Sequence, residues 1–306
     1  MKSVVHRVLS GGVALHVVEF GQRGRAPVLL VHGFPDCHEV FSEVIEDLAR
    51  DYHVVTFDLR GVARSAPPRD ASGYRIEAIL PDITAVADAV FGRGVEFHLV
   101  GHDWGSVLCF SYVAEGRDRD RAKSFTSVSG PHVRLMWDAA FRNMRSGGLS
   151  GAISQALASW YVFAMHLPRV PELLFRLAGP QVFRAALERG GVPHGDRYLD
   201  VSTEDVLART VGTMNLYRQN ALRPPPMPAP RSISVPIRLV VPTRDPFVKP
   251  STFTNLADYA TDLVVEEVDA SHWLPRSHPS LFAAAVRESI RRTEPTLPRH
   301  PAEPRS

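Results

Sequence analysis

Cysteine is scarce in this chain: among 306 residues only Cys37 and Cys109 carry a thiol. They lie far apart and neither sits in a CxxC pair, which removes the zinc knuckle and the dithiol redox motif from consideration. Two such thiols fit a reduced intracellular pair better than a disulfide. Long apolar runs are missing too, and no stretch approaches the length that spans a bilayer. The opening MKSVVHRVLSGGVALHVV is interrupted by His6, Arg7 and Gly11-Gly12 before it could form a secretory core, so the cytoplasm is the expected compartment. Charge of one sign is absent: 35 Lys and Arg against 33 Asp and Glu leave +2. That balance gives no reason to expect nucleic acid, and no RRM, KH, helix-turn-helix or zinc-finger pattern occurs. There is no internal repeat, and no cluster calls for a metal or an organic cofactor.

What is present suits a soluble enzyme, with 44% hydrophobic and 22% charged residues. The length fits one large domain or a core with an inserted lobe. VVHRVLS and VALHVVEFG predict a hairpin turned at Gly11-Gly12. PVLLVHGF, HVVTFDLRG and FHLVGHD are short apolar runs of the kind buried in a parallel sheet. Between them, Val40, Phe41, Val44, Ile45 and Leu48, and then Ile79, Ile83, Val86 and Val90, recur at helical spacing. Such alternation implies right-handed βαβ crossovers. The pattern returns in VPIRLVVPTRD, a helix near TFTNLADYA, the strand TDLVVEEVDA and a last helix in SLFAAAVRESIRR.

From about His132 to Arg231 the sequence predicts helices and no strand: WDAAFRNM, ISQALASWYVFAMHL, PELLFRLA, VFRAALERG and VLARTVGTMNLYRQNAL. The proline-rich RPPPMPAPR leads back to the core. The expected organisation is a core over 1–131, a helical cap over 132–231, the rest of the core over 232–293 and a linker-like tail over 294–306.

One further absence concerns chemistry. The GHDWGS turn at 101–106 has the small-x-nucleophile-x-small frame of a strand-to-helix elbow, but no serine occupies its centre; Asp103 does. A serine attacking a saturated carbon would form an ether, which water does not readily cleave. A carboxylate forms an ester, which water can open at its carbonyl. Asp103 therefore suits substrates that react at sp³ carbon through a covalent intermediate. The bland alternative is that Asp103 merely caps the following helix.

HGFP at 32–35, GHDWGS at 101–106, a helical insertion, Asp245 after a late strand and His272 near the end together resemble the epoxide hydrolase branch of the α/β-hydrolase family. The resemblance covers nearly the whole chain apart from the tail. It implies an α/β fold with a mostly parallel central sheet flanked by helices and an inserted helical cap. It implies His272 as the residue that activates water and Asp245 as the acid that orients it, with His278, Asp262 and Asp269 as weaker rivals. The backbone N–H groups of Phe34 and Trp104 would form the oxyanion hole, with a cis Phe34-Pro35 bond plausible in the HGFP turn.

The leaving group separates two substrate classes. An epoxide becomes an alkoxide, which wants O–H donors, and a halide wants weakly acidic N–H donors. The family places two cap tyrosines opposite the nucleophile; Tyr161 in SWYVFAMHLP and Tyr217 in MNLYRQN match by context and would bind substrate with Trp104. Trp104 does not discriminate, because dehalogenases also carry a tryptophan there. Hydrolysis of a small-molecule epoxide, with the apolar cap favouring a lipophilic one, is the leading expectation. Haloalkane dehalogenation and a non-catalytic ligand-binding protein on the same fold are the alternatives. RGVARS at 60–65 departs from the family's R-G-x-G-x-S by Ala63, which puts the shape of that loop in question. The tail resembles the join in longer bacterial chains where such a hydrolase precedes a short-chain dehydrogenase domain, so a parent chain could carry an additional C-terminal domain.

Overall fold

The computed structural model describes residues 2–145, 153, 160–226 and 228–294. Most of the expected tail, over 295–306, and the part of the ISQALASWYVFAMHL helix at 154–159 lie outside the described residues. Eight strands form one sheet in the order β1-β2-β4-β3-β5-β6-β7-β8. They are β1 (Ser3–Ser10), β2 (Val13–Gly21), β3 (Pro27–Val31), β4 (His53–Phe57), β5 (Phe97–His102), β6 (Ala122–Val128), β7 (Ile237–Pro242) and β8 (Leu263–Val268).

β1 and β2 form the expected hairpin, turned at Gly11 and Gly12 with positive φ at both. β2 joins β4 antiparallel, and from β4 onward every pairing is parallel. All positions of β5 are buried, as helices on both faces require. The pleat divides the core in two. Leu29 and Val31 of β3 pack with the helices α2 (Ile76–Val90) and α3 (Trp104–Glu115), whereas Val28 and Leu30 pack with α1 (Ser42–Leu48) and α9 (Pro279–Thr293).

Between β6 and β7 the described residues form helices and no strand. They are α4 (Val133–Arg145), α5 (Trp160–Met165), α6 (Val170–Arg189) and α7 (Thr203–Leu216). Ser202 and Asp205 close a reciprocal capping box at the start of α7. A short helix α8 (Leu274–Ser277) precedes α9.

PELLFRLA and VFRAALERG are two helical stretches, as expected, joined in α6 across a kink where Ala178 leaves helical geometry (φ −139°, ψ 28°) two residues before Pro180. Proline lacks the N–H that would continue the ladder, so the chain bends rather than stops. One expectation is corrected: no α-helix forms at TFTNLADYA, where Pro250–Phe253 and Leu256–Asp258 are single 3₁₀ turns. No helix among the described residues is long and apolar enough to cross a membrane.

Candidate active site

Asp103 occupies the turn between β5 and α3 with φ 53° and ψ −126°, a conformation that costs roughly 1–3 kcal/mol outside glycine. The surroundings hold it there. Its N–H donates to the Val128 carbonyl (3.0 Å), and its carbonyl accepts from Val107 N–H (3.1 Å). The following helix runs so close beneath β3 that a Cβ on Gly105 would overlap the Val31 carbonyl, which explains the small residue two places on. The side chain caps nothing in α3. Instead Oδ1 accepts the Phe34 N–H at 2.7 Å. Gly33 lies so close that a Cβ there would strike both Asp103 Oδ1 and Trp104 N, which places those two atoms beside the same glycine. The Phe34-Pro35 bond is cis.

The second carboxylate oxygen points the other way. Asp103 Oδ2 lies 3.4 Å from His272 Nε2, and His272 Nδ1 lies 2.8 Å from Asp245 Oδ2. Asp245 is fixed in turn by the loop that follows it, its Oδ1 accepting the N–H groups of Phe247 (2.8 Å) and Val248 (2.9 Å). The structure thus brings Asp103, His272 and Asp245 together from three different strand ends. The rivals stand elsewhere: His278 bonds Ser277, Asp262 pairs with Arg292 and Asp269 pairs with Arg244.

Burial alone would discharge His272, yet the Asp245 and Asp103 carboxylates on its two nitrogens overcome that and raise its pKa to about 10. Burial likewise opposes the Asp245 charge, and His272 with two backbone N–H donors still holds that carboxyl below its usual value.

In front of Asp103 opens a cavity of about 270 Å³, lined almost wholly by apolar side chains from α4, α5, the segment after α7 and the loop after β7. Tyr161 and Tyr217 both line it, their rings edge-to-face at 5.9 Å. Tyr217 also meets the Trp104 ring at 5.0 Å and the Phe34 ring at 5.2 Å. Burial pushes both phenols above their ordinary value, and the Asp103 charge adds to it, so they remain O–H donors at any working pH. Of the residues nominated from the sequence, Asp103, Trp104, Tyr161 and Tyr217 line this cavity, while Phe34 and His272 reach Asp103 itself and Asp245 stands behind His272.

Several neighbours carried no such signal. Tyr217 begins a π-helical stretch, Tyr217–Ala221, whose register places Arg218 and Asn220 as anchors. Arg218 binds the Met165 carbonyl (2.7 Å) and Glu172 (2.7 Å), pinning α5, which carries Tyr161. Asn220 accepts the Ile76 N–H (2.9 Å) and donates to the Tyr74 carbonyl (2.9 Å), fastening the insertion to the start of α2. Behind His272 lies a second buried pair. Asp36 accepts from Tyr198 (2.9 Å) and the Trp273 indole (3.0 Å), and its burial pushes the carboxyl up to about 7. His102, held neutral by burial with a pKa near about 4, donates from Nε2 to the His272 carbonyl (2.9 Å) and turns Nδ1 toward Asp36 at 3.7 Å. An acidic residue directly after HGFP was the one sequence signal for this network.

Ala63 keeps a glycine-like φ of 45°, and its N–H donates to the Ala208 carbonyl of α7 at 2.8 Å, so the loop shape survives the substitution under strain. Among the described residues, one group could hold a metal ion by geometry, namely His16, His38 and Asp58. Asp58 there already accepts from the His38 ring (2.7 Å) and from the His38 and Arg64 N–H groups, which organises the loop after β4.

A family model described as the alpha/beta hydrolase fold matches residues 26–279. The chain is 34% identical over 292 residues to the "Probable oxidoreductase EphD" of Mycobacterium tuberculosis, covering 90% of this chain and 48% of that protein. It thus spans about half the length of that relative. It is 26% identical over 301 residues to "Epoxide hydrolase 3" of Xenopus tropicalis, covering 93% and 77%. The crystal structure of a Bacillus megaterium epoxide hydrolase with an inhibitor superposes with a TM-score of 0.74 at 21% identity, covering 93% of this chain and 99% of that one. At that identity the likeness speaks to fold alone. With the sheet order, the strained strand-to-helix elbow and the matching family model in agreement, this chain belongs to the α/β hydrolase fold family.

Proposed function

We propose that the chain hydrolyses epoxides to vicinal diols through an ester formed on Asp103. The observation that carries this is that a carboxylate at the elbow and two neighbouring tyrosines line one apolar cavity. Asp103 Oδ2 attacks an epoxide carbon, the C–O bond breaks, and the leaving oxygen takes a proton from Tyr161 or Tyr217 as the alkoxide forms. Water then attacks the ester carbonyl carbon, giving its proton to His272 Nε2. The charge that develops on Oδ1 is met by the N–H of Phe34 and of Trp104. Collapse of that intermediate breaks the bond from the carbonyl carbon to the ester oxygen, which takes the proton back from His272 and leaves in the diol. The proton remaining on the new Asp103 acid returns to the tyrosinate, restoring carboxylate and phenol.

The charges support this order of events. Next to two carboxylates His272 is protonated and cannot act as a base. Alkylation turns Asp103 into a neutral ester and removes one of those charges, so the imidazole loses its proton more readily when a base is needed. Asp245 keeps the ring oriented throughout. The apolar lining favours a lipophilic epoxide. The relatives named as epoxide hydrolases support the same reading.

Trp104 beside the nucleophile sustains haloalkane dehalogenation as a second reading, since an indole N–H suits a halide. Product mass spectrometry over mixed epoxides and haloalkanes, with Asp103→Ala alongside, separates the two. Diols lost in the variant are expected; halide release with alcohol formation would overturn the epoxide reading.

A further inference from the structure

We propose that the outer face of α5 and α6 docks on an anionic lipid surface, delivering apolar substrate directly to the cavity mouth. An amphipathic helix normally turns its apolar stripe inward. Helix α6 has two. Phe175, Phe183 and Leu187 are buried, whereas Val170, Leu173, Leu174 and Leu177, at i, i+3, i+4 and i+7, form a stripe on the opposite side, with Leu177 78% exposed. On neighbouring α5 and the turn after it, Trp160, Phe163 and Leu167 are exposed at the same helical spacing, Trp160 at 62%. Scattered exposed apolar residues need no explanation, but two adjoining stripes of large ones form an interaction surface.

Two observations choose the occupant. The first is charge. Residues 132–189 contain seven arginines, no lysine and three carboxylates, a surplus of four positive charges in a chain whose total is +2. Arg169 and Arg176 are exposed beside the stripe, while Glu172 is already paired with Arg218. An apolar ridge flanked by arginine matches an interfacial helix on anionic headgroups. It fits a second copy of the same basic surface poorly, since like charges would then oppose each other. The second is continuity. Phe163 is 57% exposed and also lines the cavity that holds Asp103. Phe163 thus belongs both to the exposed stripe of α5 and to the lining of the cavity, linking the outer apolar face to the nucleophile's pocket.

The test is flotation of the protein with vesicles of phosphatidylcholine alone and of equal parts phosphatidylcholine and phosphatidylglycerol. Binding to the anionic vesicles is expected, with weaker binding to the neutral ones. The exposed pair Leu173→Glu/Leu177→Glu and, separately, Arg169→Glu/Arg176→Glu should each lower the partition coefficient roughly tenfold or more. Turnover of a small water-soluble epoxide should stay unchanged, which also shows that the variants fold. Flotation is read without any activity, so docking can fail while epoxide hydrolysis stands, and the reverse. Absence of binding, or equal binding by parent and variants, overturns the proposal. So does a dimer in sedimentation that the leucine variant dissolves, which would assign the face to a second copy.

Discussion

The two walls of the candidate active site are built on different principles. The sheet-side wall holds Asp103, Asp245 and His272 by backbone: a strained turn locked between β6 and α3, a loop that wraps its N–H groups around Asp245, and strand ends that fix the spacing. The wall from the insertion holds Tyr161 and Tyr217 by side chains, through Arg218, Asn220 and edge-to-face rings. The first wall has its polar atoms paired and its charges coupled. The second is mostly apolar inside and partly apolar outside. Charge chemistry needs fixed partners, because misplaced dipoles lose their effect in a low-dielectric site. Substrate entry needs a surface that adjusts to the molecule.

Experiments that break the sheet-side wall should show the largest effects. Asp103→Ala should abolish turnover, a fall of roughly 10⁴-fold or more, with no covalent adduct by intact-protein mass spectrometry. His272→Gln should be as slow in turnover, yet accumulate the Asp103 ester, visible as a mass increase equal to the epoxide. An adduct-free His272→Gln protein would contradict the two-step scheme. Breaking the other wall should cost less. Tyr161→Phe or Tyr217→Phe should each lower the rate of ester formation roughly 10²-fold, and the double variant more, since each removes one O–H donor while leaving the other. An unchanged rate in both single variants would remove the tyrosines from the chemistry.

A pH measurement sharpens the contrast through Asp36. Its folded pKa of about 7 stands above the ordinary carboxyl value. The folded state therefore keeps a proton that the unfolded chain releases, and this group's contribution to stability falls as pH rises from about 4 to about 7. His272 works in a higher window: raised to about 10, it contributes stability below about pH 6.5 that is lost as pH climbs toward 10. Asp36→Asn should flatten the lower of these slopes in denaturant titrations and leave the upper one. The smallest effect expected is at the loop after β4. Ala63→Gly should stabilise by about 1 kcal/mol, because glycine adopts the φ of 45° without strain, and thermal melts can resolve it.

The alternation of short apolar runs with helical spacing announced a parallel sheet, and the Gly11-Gly12 pair announced its antiparallel edge hairpin. Both signals are local, so the sequence displays them. The departure is at TFTNLADYA, which is confined to 3₁₀ turns. Its Thr, Phe, Asn, Asp and Tyr are weak helix formers, so a few apolar positions at helical spacing do not make a helix there. Tyr161 and Tyr217 were nominated from their local context in the insertion, whereas Asp103, Asp245 and His272 were legible because each sits in a short motif after a strand. Asp36, His102, Arg218 and Asn220 were not, since each acts on a partner far away in sequence.

The sequence by itself determined the chemistry on offer. A carboxylate between Gly101 and Gly105 can form an ester and not an ether, whatever surrounds it. Only the tertiary structure decided that His272 lies 3.4 Å from one oxygen and Phe34 N–H 2.7 Å from the other. It also decided that α6 turns leucines outward: helical spacing reveals a stripe, but which of two apolar stripes is covered depends on what packs against it.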